Sequence, residues 1–85
     1  MKGHLLIDGR LVPGAGPHFE VIDPATGEID ATLAGADEAQ LAAATAAAAR
    51  AQPGWEKLAQ PERSRMLHAV AEAIEANRGD LAAAL

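Results

Sequence analysis

Short apolar runs separated by turn residues fill the first third of the chain, and alanine-rich helical patterning fills the rest, with the change near Gly35. Leu5-Leu6-Ile7 and Leu11-Val12 flank Asp8-Gly9-Arg10. Asp-Gly between two apolar runs predicts a hairpin, because glycine tolerates the positive φ of a primed turn. Pro13-Gly14-Ala15-Gly16-Pro17 predicts a loop. Phe19-Glu20-Val21-Ile22 reads as a strand, and Ile29-Asp30-Ala31-Thr32-Leu33 alternates as a half-buried strand does. Between them, Asp23-Pro24-Ala25-Thr26-Gly27 has turn chemistry: an Asp to cap amides, a Pro to preset φ, a Gly to accept a left-handed conformation. Residues 1–34 are therefore expected to form two β-hairpins.

From residue 36 onward the pattern is helical. Asp37-x-x-Gln40 matches a capping box, in which each side chain satisfies the other's backbone N–H. The first helix is expected from about Glu38 to Gln52, ending at Pro53-Gly54. Leu41 is its only large apolar residue, so its docking face is alanine. Pro61 suits the first turn of a second helix, which runs to about Asn77 with Met66, Leu67, Val70 and Ile74 at helical spacing. Gly79 is expected just beyond that helix and Asp80 at the cap of a third. Leu81 and Leu85 stand one turn apart, and the expectation is of a chain cut in mid-helix at its C-terminus. The predicted fold class is α/β: hairpins over 1–34, then two helices and the start of a third over 36–85.

Composition qualifies this picture. The chain of 85 residues is 49% apolar, but 22 of its residues are alanine, which leaves little bulk to build a core. Zero cysteine excludes a disulfide, a thiolate metal site and a cysteine nucleophile within these residues. The net charge is −5 and the seven Lys and Arg are scattered, which argues against binding a nucleic-acid backbone. With one Trp, one Phe and no Tyr there is no platform for stacking bases. Leu5-Leu6-Ile7 is too short for a signal-peptide core. The alanine run over 41–49 is too short and too weakly apolar to span a bilayer. A soluble, cytoplasmic protein with no membrane partner is expected.

Candidate chemistry is sparse. Gly14-Ala15-Gly16 resembles a phosphate loop only superficially, since prolines flank it and no helix follows directly; a plain loop is expected. His68 and Glu72 share a helix face four residues apart, but a zinc site needs three or four ligands and nothing else is placed to join them. No pair of carboxylates forms an acid–base constellation. Trp55, after Pro53-Gly54, is expected to fill the gap between two helices.

The order of blocks carries more information than any one of them. Leu6-Ile7-Asp8-Gly9, then Phe19-Glu20-Val21-Ile22-Asp23-Pro24-Ala25-Thr26-Gly27-Glu28, then Ile29-x-Ala31-Thr32 resembles the opening of the NAD(P)-dependent aldehyde dehydrogenase family. Asp37 with the alanine-rich helix, Trp55, Pro61-Glu62-Arg63-Ser64-Arg65-Met66-Leu67 and Ala73-Ile74-Glu75-Ala76-Asn77-Arg78-x-x-Leu81-Ala82 continue the resemblance in order, over residues 4–85. The first twelve residues are similar to those of members acting on amino aldehydes and betaine aldehyde. Asp23 stands where the family commonly has Asn, and Gly79 interrupts a stretch that is usually continuous.

The resemblance implies the N-terminal part of a cofactor-binding domain, in an enzyme that oxidises an aldehyde to a carboxylic acid with NAD or NADP. It also implies that the nucleophilic Cys, the general-base Glu and the nucleotide-binding residues come later in such chains. No catalytic or cofactor-binding residue is therefore carried over, and this chain alone is expected to be inactive and to bind neither NAD nor nucleic acid. The resemblance offers one carry-over, weighed against an ordinary buried strand, which is the preferred reading: Val21 and Ile22 stand where several family members bind a monovalent cation through main-chain carbonyls, with further ligands implied beyond Leu85. The chain is expected to dock on the missing domain or to self-associate. The rival reading is a non-catalytic helical docking module.

Overall fold

Asp8 takes φ 52° and Gly9 φ 73°, the left-handed pair that a type I′ turn demands. In the computed structural model, which describes residues 3–85, this turn joins β1 (Leu5–Ile7) to β2 (Arg10–Val12), antiparallel, with Ile7 opposite Arg10. A second antiparallel pair, β3 (His18–Ile22) and β4 (Ile29–Ala34), forms a separate two-stranded sheet. Its turn closes as its residue types dictate. Asp23 Oδ1 accepts from the Ala25 N–H at 2.8 Å, Thr26 Oγ1 accepts from the Glu28 N–H at 3.2 Å, and Gly27 takes φ 75°. The expected hairpins and the α/β class are present.

The loop over 13–17 is held from two sides. Gly16 N–H donates to Gly35 O at 2.8 Å, and Gly35 N–H donates to Pro17 O at 2.9 Å. The capping box forms as expected: Gln40 N–H donates to Asp37 Oδ1 at 2.8 Å, and Asp37 N–H to Gln40 Oε1 at 3.2 Å. The Gln40 carboxamide then reaches back across the loop, accepting from Ala15 N–H at 2.9 Å and donating to Pro13 O at 2.9 Å. One side chain thus joins the helix start to the loop between the hairpins.

The helix it opens, α1 (Glu38–Lys57), passes through Pro53 instead of ending there. Proline removes one intrahelical hydrogen bond and crowds the preceding turn, but one further turn follows, and Leu58 N–H closes it on Trp55 O at 3.1 Å. Lys57 sits in that last turn, where a cation suits the helix dipole. Trp55 consequently lies within α1, half-buried, and not in a connection between helices.

Helix α2 (Gln60–Ala76) carries Pro61 in its first turn as expected. Asn77, at φ −109° and ψ 20°, ends α2 and precedes α3 (Arg78–Ala84). Its Nδ2 donates to Ala73 O at 2.8 Å. An amide that binds the last carbonyls does the work assigned to Gly79, so Gly79 lies inside α3 and Asp80 in that helix's first turn instead of at its cap. Exposed ion pairs at i,i+3, Glu62 with Arg65 and Glu75 with Arg78, line α2 and its junction with α3.

The chain divides into two compact units, Met1–Ala51 and Gln52–Leu85. Packing is thin in both. Ala31 and Ala47, each 8% exposed, are the buried apolar residues among those described. Leu6, Leu11, Phe19, Met66, Leu67, Val70 and Ile74 are all exposed. Among the described residues no helix is long and apolar enough to cross a membrane.

Two substitutions test this architecture. Gln40→Ala removes its side-chain hydrogen bonds and is expected to lower stability by about 2 kcal/mol, at roughly 1 kcal/mol per net hydrogen bond with a discount for exposure. Gln40→Glu keeps the acceptor for Ala15 and Asp37 but sets a carboxylate oxygen against Pro13 O in place of the donor, and should also destabilise; urea midpoints by circular dichroism measure both. Gly79, helical and with open space where a Cβ would stand, predicts the opposite sign. Gly79→Ala should stabilise α3 by about 0.5 kcal/mol, read as slower amide exchange at its C-terminal end.

Candidate functional site

Val21 and Ile22 occupy the last two positions of β3, beside the Asp23–Gly27 turn. Val21 is half-buried opposite the buried Ala31, and Ile22 is 48% exposed opposite Ile29. Between these two pairs the register shifts, and Asp30 is the extra residue on β4. Such a bulge locally disrupts the ladder and bends the strand that carries it. The two peptide groups singled out in the sequence therefore lie where regular strand pairing breaks. Carbonyl oxygens there have the hard-donor chemistry that suits an alkali cation. Among the described residues no group of three or more His, Asp or Glu is placed to hold a metal ion. His68 and Glu72 are both exposed on α2.

The Gly14-Ala15-Gly16 loop is committed elsewhere. The Ala15 N–H is bound by Gln40 and the Gly16 N–H by Gly35, so a phosphate finds these amides occupied. The glycines serve close packing instead. A Cβ on Gly14 would run into the carbonyl oxygens of Ala34 and Gly35, and one on Gly16 into that of Ala36. The sequence marked this loop by its turn residues; what it could not show was that residues 34–36 pass directly against it. The chemical signal, a Gln at the fourth position of the capping box, was visible, but its span of 25 and 27 residues to Ala15 and Pro13 was not.

Two open grooves flank Ile7 within the first unit. The larger, of about 370 Å³, runs between Leu6 and Ile7 on one side and Ala44, Ala47, Ala48 and Ala51 on the other. At its rim Arg50 approaches Asp8 at 3.4 Å in an exposed ion pair. The smaller, of about 330 Å³, lies among Ile7, Arg10, Val12, Asp37, Gln40 and Ala43. Their walls are mainly aliphatic, and no nucleophile, base and oxyanion donor converge in either. The alanine face of α1 permits close approach of backbone, and nothing in it carries reactive chemistry.

Gly14→Ala and Gly16→Ala are each expected to destabilise the first unit by about 1–3 kcal/mol, as overpacking against fixed backbone does. Gly27→Ala, strained only by its φ of 75° with no neighbouring atom nearby, should cost about 1 kcal/mol. Thermal melts of the three variants side by side give the ranking.

The sequence has relatives among known proteins. The model of the aldehyde dehydrogenase family matches residues 11–85. The chain is 39% identical over 85 residues, all of its length, to the N-succinylglutamate 5-semialdehyde dehydrogenase of a Caulobacter species, covering 18% of that protein. It is 42% identical over 76 residues, 88% of its length, to the betaine aldehyde dehydrogenase of Cereibacter sphaeroides, covering 16% of that protein. To the human 2-aminomuconic semialdehyde dehydrogenase it is 33% identical over 78 residues, covering 16% of it. The chain thus spans less than a fifth of the length of the curated relatives it matches. With the match running from β2 to the end of the described helices, the chain belongs to the aldehyde dehydrogenase family.

Proposed function

We propose that this chain is the N-terminal structural segment of a cytoplasmic enzyme that oxidises an aldehyde to a carboxylic acid with NAD(P)+, and that the chain alone is inactive. The observation that carries this reading is the family match over residues 11–85, supported by 39% identity along the whole chain. The reaction needs a nucleophile able to form a covalent adduct with the aldehyde, and these residues contain no cysteine. A dinucleotide needs free amides at a strand-to-helix turn, whereas the only Gly-x-Gly loop here has its Ala15 and Gly16 amides engaged. The chain does not fit NAD(P), and the cofactor's residues belong elsewhere in the enzyme.

Its own part is structural. The exposed stripe of Met66, Leu67, Val70 and Ile74 on α2 is the surface that the remainder of the enzyme covers, and without that cover the chain self-associates. In the assembled enzyme the Val21 and Ile22 carbonyls, beside the bulge, contribute to a monovalent cation site. A second reading, a non-catalytic docking module, draws on the same exposed stripe.

The test is a chimera. Residues 1–85 replace the matching segment of the Cereibacter betaine aldehyde dehydrogenase, beside the same enzyme with that segment deleted. Aldehyde-dependent formation of reduced nicotinamide is expected from the chimera, and none from the deletion or from the isolated chain. A chimera that folds to the parent's size and melts cooperatively yet stays inactive would favour the docking module. At constant ionic strength, K+ in place of a tetraalkylammonium ion should raise the chimera's melting temperature; no difference removes the cation assignment.

A further inference from the structure

Asp8 and Gly9 form the two-residue tip of the first hairpin, and their chemistry is left open by the fold. The Asp8 side chain is 69% exposed, and its one polar contact is the 3.4 Å approach of Arg50. The Gly9 N–H takes part in no hydrogen bond among the described residues. Gly9 carries no side chain to shield its own amide nitrogen, and a Cβ built on it meets nothing within 4 Å. An exposed carboxyl followed by an unhindered, unbonded amide is the arrangement from which an aspartyl chain cyclises. The other four aspartates lack it. Asp23 precedes Pro24, which has no N–H. Asp30 precedes the buried Ala31. Asp37 has Oδ1 engaged by the Gln40 N–H. Asp80 precedes Leu81, whose N–H donates to Asn77 O at 3.0 Å.

We propose that Asp8–Gly9 is a spontaneous modification site, at which Asp8 converts to isoaspartate through a cyclic imide. The Gly9 nitrogen attacks Cγ of the protonated Asp8 carboxyl and forms the new C–N bond; the carboxyl hydroxyl leaves with the amide proton as water. Water then adds back. Opening at the Cγ carbonyl restores aspartate, while opening at the main-chain carbonyl routes the backbone through Cγ and leaves the former main-chain carbonyl as a free carboxylate. No redox partner or cofactor takes part. Ring closure requires the turn to open locally, and a two-stranded hairpin with three-residue strands opens readily. The product lengthens the backbone by one carbon inside a two-residue turn, so the Ile7–Arg10 register and the Asp8–Arg50 approach are both lost. The modified site is a substrate for the class of carboxyl methyltransferases that recognise isoaspartate.

The intact chain is incubated warm near neutral pH, in native buffer and in urea, then assayed by isoaspartyl methylation with labelled S-adenosylmethionine and by peptide mapping. Isoaspartate at residue 8 is expected to exceed that at every other aspartate severalfold, and to form in native buffer at a rate within a few-fold of that in urea. Even distribution among the aspartates, or native protection of more than an order of magnitude, overturns the proposal. Two variants keep the turn. Asp8→Asn gives an Asn-Gly turn, loses ammonia more readily than the acid loses water, and should raise isoaspartate at residue 8 severalfold. Gly9→Asn tolerates positive φ but shields the nitrogen, and should lower it severalfold; an unchanged rate in either variant also overturns the proposal.

Discussion

The Gln40 carboxamide accepts from the main-chain N–H groups of Ala15 and Asp37 and donates to the carbonyl of Pro13. These bonds do two things at once. They complete the capping box that starts α1, and they fix the loop over 13–17, which links the two hairpins, against that helix start. With the loop fixed, the Gly16–Gly35 and Gly35–Pro17 bonds bring residues 34–36 so close that Gly14 and Gly16 have no room for a side chain. In a unit whose buried apolar residues, among those described, are two alanines, directional polar contacts supply the order that bulk packing supplies elsewhere.

Alanine explains the remaining economy of the fold. A helix face of Ala44, Ala47 and Ala48 lets a β-strand or another helix approach closely, but contributes little apolar area of its own. The large side chains of α2 stand in solvent. The chain matches less than a fifth of each relative's length, and the large apolar side chains of α2 have no cover among the described residues. Neither groove brings a nucleophile, a base and an oxyanion donor together. The segment is built of turns, caps and small residues, all of which shape backbone rather than perform chemistry.

The Val21–Ile22 positions show how far the candidate site could be read in advance. Their place at the end of a strand, before an Asp-Pro-Ala-Thr-Gly turn, followed from local residue types. The bulge at Asp30 did not, because register depends on which residue of the facing strand lies opposite. The glycine loop shows the same limit. Its flanking prolines already marked it as a plain loop, but only the fold revealed its amides as engaged by Gln40 and Gly35.

What the sequence by itself determined was everything set by a few neighbouring residues. The Asp-Gly turn, the Asp23–Gly27 turn, the capping box, the start of α2 and the family all rest on interactions within about five positions or on block order. What only the tertiary structure decided was set by residues far apart or by competition between signals. Pro53 did not end α1, because one more turn could close on Trp55. Asn77 displaced Gly79 as the end of α2, because its side chain bound the Ala73 carbonyl. The reach of Gln40 to Pro13 and Ala15, like the need for Gly14 and Gly16, arises from backbones brought together across some twenty-five residues. Local pattern cannot encode such an encounter, since it depends on where both segments end up in space.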